Sequence, residues 1–192
     1  MRDVKASLEP WPGPVTVPTM PRAPMNARTR PPALAVLFHG HGDDSTTFAE
    51  AVQLHPDWPQ AIVAYPRGEP TPSSGMRGWQ GHGGEPDDRD LKLVDRLLED
   101  LQDRYGVQPG RTSAAGFSDG GRFQFVLMDA RPDAFAAFAV IGTVRPDFAS
   151  DSPPRPVLYL DGRGENPADR GHWANPVQAL VRHNRTQGPL AD

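Results

Sequence analysis

Residues 114–121 read Ala-Ala-Gly-Phe-Ser-Asp-Gly-Gly, and the rest of the chain can be placed around them. An apolar run ends there in Gly-Phe-Ser-Asp-Gly, and a segment with helical character, residues 122–130, follows at once. A G-x-S-x-G pattern between a strand and a helix is typical of a serine on a sharp turn, with its Oγ exposed at the top of a sheet. The flanking glycines fit this turn, because a side chain there would collide with the neighbouring strand and helix. The sequence therefore predicts a strained backbone and a nucleophilic hydroxyl at Ser118.

The composition excludes several classes of function. A length of 192 residues is enough for one domain with a sizeable core. The formal net charge of −4 predicts no nucleic-acid and no acidic-membrane partner. The chain has no cysteine, which rules out disulfides and thiolate metal sites. No apolar run approaches the roughly 18 residues of a membrane span, and no signal peptide is visible. We therefore expect a cytoplasmic protein, or an exported one if the N-terminus is incomplete.

Buried strands alternate with helical patterns along the chain. Strands are predicted over residues 34–38, 61–65, 112–117, 135–141 and 157–160, with a short edge strand at 15–17. Helices are predicted after a cap at Ser45 or Thr46, over 91–105 and over 175–184. This order predicts an α/β fold, a three-layer α/β/α sandwich with a mostly parallel sheet. Residues 1–32 form a proline-rich N-terminal segment, and residues 33–192 form the single domain.

The chemistry of a serine nucleophile requires backbone N–H groups directed at the developing oxyanion. One is predicted from Asp119, directly after the serine, and the other from His41, in the His-Gly-His-Gly turn that ends the first buried strand. Both lie at the carboxyl ends of strands, where parallel sheets place their active sites. Trp79 lies in a long loop, residues 66–88, and is either a wall of the acyl pocket or a packing anchor.

Together these segments resemble the polyhydroxybutyrate depolymerase and feruloyl esterase branch of the α/β-hydrolases. The matching segments are residues 37–43 (Leu-Phe-His-Gly-His-Gly-Asp), 64–66 (Ala-Tyr-Pro), 78–80 (Gly-Trp-Gln), 88–91 (Asp-Arg-Asp-Leu), 104–107 (Arg-Tyr-Gly-Val) and 116–121. Residues 156–162 resemble the family's strand before the triad acid. The resemblance implies a serine esterase for polyhydroxyalkanoate, feruloyl or acetyl esters. It also implies an acyl-serine intermediate, a small or polymeric substrate, and no metal or organic cofactor.

The chain departs from this family after residue 161. The family's acid is an Asp, whereas residues 162–167 read Gly-Arg-Gly-Glu-Asn-Pro, so the acid would be Glu165, with Asp169 a weaker candidate. The family's histidine follows a further helix and strand, but this chain stops at Asp192. The sequence therefore predicts a C-terminally incomplete fold without its base. The alternatives are a feeble esterase and a catalytically inactive hydrolase-derived protein or fragment.

Two further expectations follow from the same segments. Residues 156–161 should form an exposed edge of the sheet, where self-association is possible. The run His39-x-His41-x-Asp43 also resembles the start of a two-metal hydrolase pattern, which defines a lesser alternative, a metallo-hydrolase. Its sixth position is Asp44 rather than His, and that fold needs antiparallel hairpins, so no bound transition metal is predicted.

Overall fold

The computed structural model describes residues 4–6, 15–17, 31–81, 83–143, 145, 148, 151–161 and 180–184. Its strands are β1 (Val4–Ala6), β2 (Val15–Val17), β3 (Ala33–Phe38), β4 (Ala61–Ala64), β5 (Glu69–Pro70), β6 (Arg77–Gly78), β7 (Thr112–Phe117), β8 (Ala137–Ile141) and β9 (Val157–Leu160). Its helices are α1 (Ser45–Val52), α2 (Leu54–Asp57), α3 (Arg89–Tyr105) and α4 (Asp119–Ala130), with short 3₁₀ turns at Pro86–Asp88 and Pro109–Arg111.

Five strands form a central sheet in the order β4-β3-β7-β8-β9, and every neighbouring pair is parallel. Successive residues of a strand face opposite sides of the sheet. One side of β3 (Leu34, Val36 and Phe38) belongs to the core that contains the apolar residues of α3 and α4. The other side (Ala35 and Leu37) packs with Phe48 of α1. The predicted three-layer α/β/α sandwich is therefore confirmed.

The helix starts differ from the sequence prediction. The cap of α1 is Asp44, not Ser45 or Thr46, because the Asp44 carboxylate accepts the backbone N–H groups of Thr46 and Thr47 at 2.8 and 3.1 Å. Helix α4 begins at Asp119 rather than at residue 122, so it includes two glycines that have poor helical propensity. The strand predicted over 135–141 begins at Ala137.

Strand β9 lies at one edge of the described sheet and pairs with β8. Leu158 and Leu160 are 56% and 46% exposed on one side of β9. Leu160 aligns with Ile141 and Phe117 across the three strands, and Phe117 is 48% exposed as well. Among the described residues no strand pairs with the outer side of β9, as predicted for residues 156–161, and its exposed leucines continue into a partly exposed apolar face.

The segments outside the sheet are small. Strand β2 was predicted as an edge strand, and it pairs antiparallel with β1, a strand that the sequence did not predict. Strands β5 and β6 form a separate antiparallel pair inside the long loop. Residues 180–183 are helical, in agreement with the end of the helix predicted over 175–184, whose earlier residues lie outside the described ranges. Among the described helices, none is long and apolar enough to cross a membrane.

Candidate active site

Ser118 occupies the turn between β7 and α4. Its backbone has φ 52° and ψ −111°, a conformation that residues with a side chain rarely adopt. The turn is held on both sides, because the Ser118 N–H donates to the Ile141 carbonyl at 2.9 Å and the Ser118 carbonyl accepts the Arg122 N–H at 2.9 Å. The predicted strained strand-to-helix turn is confirmed. Strain of this kind persists only where the surroundings enforce it, and it is typical of functional sites.

Close packing of backbone explains the glycines around Ser118. A Cβ on Gly116 would overlap the Gly120 carbonyl and lie 2.7 Å from the Gly121 nitrogen. A Cβ on Gly120 would lie 2.7 Å from the His39 carbonyl oxygen. Real Cβ atoms do not approach backbone this closely, so the start of α4 can lie against the ends of β7 and β3 only with glycine at both positions.

The two predicted oxyanion donors lie beside this turn. A Cβ on Gly40, the residue before His41, would lie 3.7 Å from the Ser118 Cβ, so the turn after β3 is adjacent to the serine. Asp119 is the first residue of α4, where backbone N–H groups have no partner inside the helix. Across the described ranges, no hydrogen bond uses the N–H of His41 or Asp119 as donor. Both groups are therefore available to a substrate oxygen.

The side chains of the same two residues also face each other. The His41 Nδ1 lies 3.9 Å from Oδ2 of Asp119, and this oxygen also accepts the Trp79 backbone N–H at 2.8 Å. On its other side, the His41 Nε2 lies 3.0 Å from the Ser74 Oγ. Gly78 fits between the pair, since a Cβ there would lie 2.6 Å from the carboxylate and 2.9 Å from the imidazole. The long loop is thus fastened to both predicted oxyanion residues.

His39 has a structural role. It is fully buried, and its Nε2 accepts the Gly68 N–H at 2.9 Å. Its Nδ1 therefore carries the proton, which it donates to the Gly40 carbonyl at 2.8 Å. Burial lowers the pKa of His39, against the opposing effect of its bond to Gly40, and favours this neutral form.

Both ring nitrogens of His39 are thus engaged within the protein, which leaves neither for a metal ion. The residues that the structure describes contain no group of three or more His, Cys, Asp or Glu side chains that could hold one. The geometry of the described residues therefore does not favour the metallo-hydrolase alternative.

Trp79 packs into the core and also borders the cleft above Ser118. Its ring stacks on Phe123 with centroids 5.5 Å apart and meets Phe38 edge-on at 5.0 Å. Its indole N–H donates to the His39 carbonyl at 2.9 Å, and the residue is only 3% exposed. Most of the Trp79 side chain therefore acts as a packing anchor, and only a small part of it forms a wall of the cleft.

The cleft has a volume of about 610 Å³ and brings together four of the predicted site residues, His41, Trp79, Ser118 and Asp119. Its lining residues are His41, Thr71, Pro72, Ser73, Trp79, Gln80, Gly81, Glu85, Arg89, Ser118, Asp119 and Arg122. The sequence did not predict Arg122 in the cleft, although its spacing of four residues from Ser118 was a usable signal. Ser74 and Gln80 were also missed, because their contacts are with residues distant in sequence.

Glu165, the predicted acid, and Asp169, its alternative, lie outside the described residues, as do His82 and His172. His55 lies against Tyr65, 3.4 Å from its hydroxyl, and the His183 ring packs on Phe148. Of the four described histidines, His41 alone lines the cleft.

Known proteins share this architecture. The chain is 27% identical over 149 residues to a bifunctional acetylxylan esterase/xylanase from Neocallimastix patriciarum; the match covers 75% of this chain and 21% of that protein. A carboxylesterase from Bacillus cereus superposes with a TM-score of 0.60 at 17% identity, covering 80% of this chain and 75% of that one. The protein Atu2452 of unknown function from Agrobacterium tumefaciens superposes with a TM-score of 0.59 at 22% identity, covering 83% and 78%.

These comparisons establish the fold. The parallel five-stranded sheet and its flanking helices are those of the α/β-hydrolase fold, shared with a solved carboxylesterase. No family model matches the chain. The match covers 21% of the curated relative's length, so the chain spans about a fifth of that protein.

Proposed function

We propose that the chain is a carboxylic ester hydrolase that acts through Ser118. The observation that carries this proposal is the strained Ser118 turn at a cleft where no described residue accepts the backbone N–H groups of His41 and Asp119. A serine hydroxyl beside two such donors can form and stabilise the tetrahedral intermediate of acyl transfer. The likeness to a carboxylesterase and to an acetylxylan esterase/xylanase supports the same reaction class.

The proposed reaction has two halves. The Ser118 Oγ attacks the ester carbonyl as a base takes its proton; the bond to the alcohol oxygen breaks, and the alcohol leaves with that proton. Water then hydrolyses the acyl-serine to the free acid and restores Ser118. Glu165 is the proposed acid of the triad. The polar lining from Thr71 and Ser73 suits esters with polar groups near the scissile bond, and the proposed substrates remain the polyhydroxyalkanoate, feruloyl and acetyl ester classes.

We expect slow turnover of 4-nitrophenyl acetate and slow labelling by a fluorophosphonate, both lost in Ser118→Ala. Among the described residues no base is assigned to Ser118, and an oxyanion hole with binding alone gives about 10³–10⁴-fold acceleration over water. Ser113→Ala, which removes a hydroxyl from β7 outside the cleft, is the control and should keep both signals. Labelling that persists in Ser118→Ala would place the reactive nucleophile at another residue and contradict the proposal. A rate equal to buffer alone would leave the inactive hydrolase-derived protein as the better description.

We also propose that the β9 edge mediates self-association. Its exposed Leu158 and Leu160 continue the apolar row from Phe117, and an exposed strand edge readily pairs with another chain. Sedimentation equilibrium should show mass increasing with protein concentration, and Leu158→Lys should abolish the increase. Val52→Lys, at a 40% exposed apolar position on α1, is the control. A monomer at all concentrations for the unmodified chain would contradict the proposal.

A further inference from the structure

Among the residues that the structure describes, four side chains with formal charges line the cleft around Ser118: Arg89, Arg122, Glu85 and Asp119. A charged side chain that is hydrogen-bonded within the protein must break that bond before it can bind a charged substrate. A charged side chain without such a bond can bind the substrate at no such cost. The hydrogen bonds of the four therefore indicate which charge the cleft offers to a ligand.

Arg89 is engaged with the protein through each of its guanidinium nitrogens. The Nε donates to Asp90 at 3.1 Å, and Nη1 donates to the Pro70 carbonyl at 2.8 Å. The Nη2 has longer contacts, including one of 3.4 Å to the Gly78 carbonyl. This guanidinium therefore holds the long loop against the start of α3, and a ligand would have to compete for it.

The two carboxylates are engaged as well. Asp119 accepts the Trp79 backbone N–H at 2.8 Å and faces His41. Glu85 accepts the Gly81 backbone N–H at 3.1 Å and has a further interaction. Both carboxylates hold backbone of the loop, and neither is a free anion in the cleft.

Arg122 differs from these three groups. It is exposed in the first turn of α4, four residues after Ser118, and lines the cleft. Within the described part of the chain, its guanidinium has no hydrogen bond or ion pair. The N-terminal end of a helix also favours an anion nearby, which adds to the attraction of this guanidinium.

We propose that Arg122 binds a carboxylate on the substrate, so that the preferred ester carries a free acid group in its acyl or alcohol part. This inference rests on the proposed ester hydrolysis at Ser118 and specifies its substrate class. A guanidinium binds a carboxylate through two parallel hydrogen bonds, which orients the ester as well as attracting it. Monoesters of dicarboxylic acids and oligomers of hydroxy acids with a free carboxyl end both belong to this class.

Binding is measured in Ser118→Ala, so that the result does not depend on turnover. Monomethyl adipate, an anion at pH 7.5, and neutral dimethyl adipate are titrated into this protein and followed by ¹H–¹⁵N NMR. We expect the anionic monoester to bind about fivefold to tenfold more tightly than the neutral diester. This factor is what a partly exposed, charge-assisted hydrogen-bonded pair contributes to affinity. Raising NaCl from about 0.05 M to about 0.5 M should remove most of this preference, because salt screens exposed charges.

The decisive variant adds Arg122→Gln to Ser118→Ala and should make the two affinities equal. Arg96→Gln is the matched control, because Arg96 is exposed on α3 and does not line the cleft. Three results would overturn the proposal. They are equal affinity of Ser118→Ala for the two probes, no binding of either probe at about 10 mM, and a preference for the anionic probe that remains after Arg122→Gln. Fluorophosphonate labelling of Ser118 in the parent chain tests the hydrolase function separately, so the two can fail independently.

Discussion

Replacing Gly120 by alanine is expected to destabilise the protein by about 3 kcal/mol or more. The new Cβ would lie 2.6 Å from the Phe38 carbonyl carbon and closer still to its oxygen. These are backbone atoms at the end of β3, so the clash cannot be relieved by rotating a side chain. Helix α4 would have to move away from the sheet, and the bond from the Gly120 N–H to the His39 carbonyl would be lost with that movement. The urea midpoint, followed by far-ultraviolet circular dichroism, measures the change.

Gly110→Ala is the matched control for this substitution. No atom lies within 4 Å of a Cβ built on Gly110, which is in the 3₁₀ turn before β7. This replacement should be neutral or stabilise the fold by up to about 1 kcal/mol, because alanine restricts the unfolded chain. A urea midpoint for Gly120→Ala within error of Gly110→Ala would show that α4 does not approach β3 as described.

Asp90→Ala is expected to cost about 2–3 kcal/mol of stability and to loosen the wall of the cleft. The Asp90 carboxylate is 1% exposed, accepts the Gln80 backbone N–H at 2.7 Å and pairs with Arg89 at 3.1 Å. Burial raises the pKa of Asp90 and outweighs the opposing effect of Arg89. The charge itself is therefore costly in this place, and Asp90→Asn, which keeps an acceptor for Gln80, should cost less than Asp90→Ala.

Asp95→Ala on the same helix provides the comparison. Asp95 forms two hydrogen bonds with Arg131, at 2.6 and 2.7 Å, but its side chain is 43% exposed. Solvent screening limits such a pair to about 1 kcal/mol or less. Thermal unfolding of the two alanine variants should therefore rank Asp90 well above Asp95. The reverse order would mean that the contact between Gln80 and Asp90 does not hold the loop.

Local patterns were sufficient to predict most of the sheet. Strands β7 and β9 have the predicted bounds, residues 112–117 and 157–160, because both are short apolar runs between clear stops. The start of α4 could not be read from propensity, since Gly120 and Gly121 disfavour helix. Tertiary packing determines where α4 begins, because only glycine allows the first turn of this helix to contact the end of β3. The resemblance of the Ser118 turn to a known family added the expectation that this turn was functional.

The walls of the cleft were beyond local patterns, because their contacts join distant residues. Trp79 and Asp119 are 40 positions apart, and Ser74 and His41 are 33 positions apart. Even the start of α3 depends on such a contact. The Gln80 side-chain oxygen accepts the N–H groups of Asp90 and Leu91, while Asp88, the residue at the cap position, makes no capping bond with its side chain. A cap supplied from outside the helix leaves no mark at the helix boundary in the sequence.

The carbonyl oxygen of His39 has a consequence for how the molecule opens. It accepts both the Trp79 indole N–H at 2.9 Å and the Gly120 backbone N–H at 3.1 Å, which uses both of its lone pairs. The end of β3, the long loop and the start of α4 therefore share one acceptor that no side-chain substitution can delete. Displacement of the end of β3 moves this carbonyl and breaks both bonds at once. We therefore expect the Gly120 amide and the Trp79 indole N–H to become exposed to hydrogen exchange together when β3 opens.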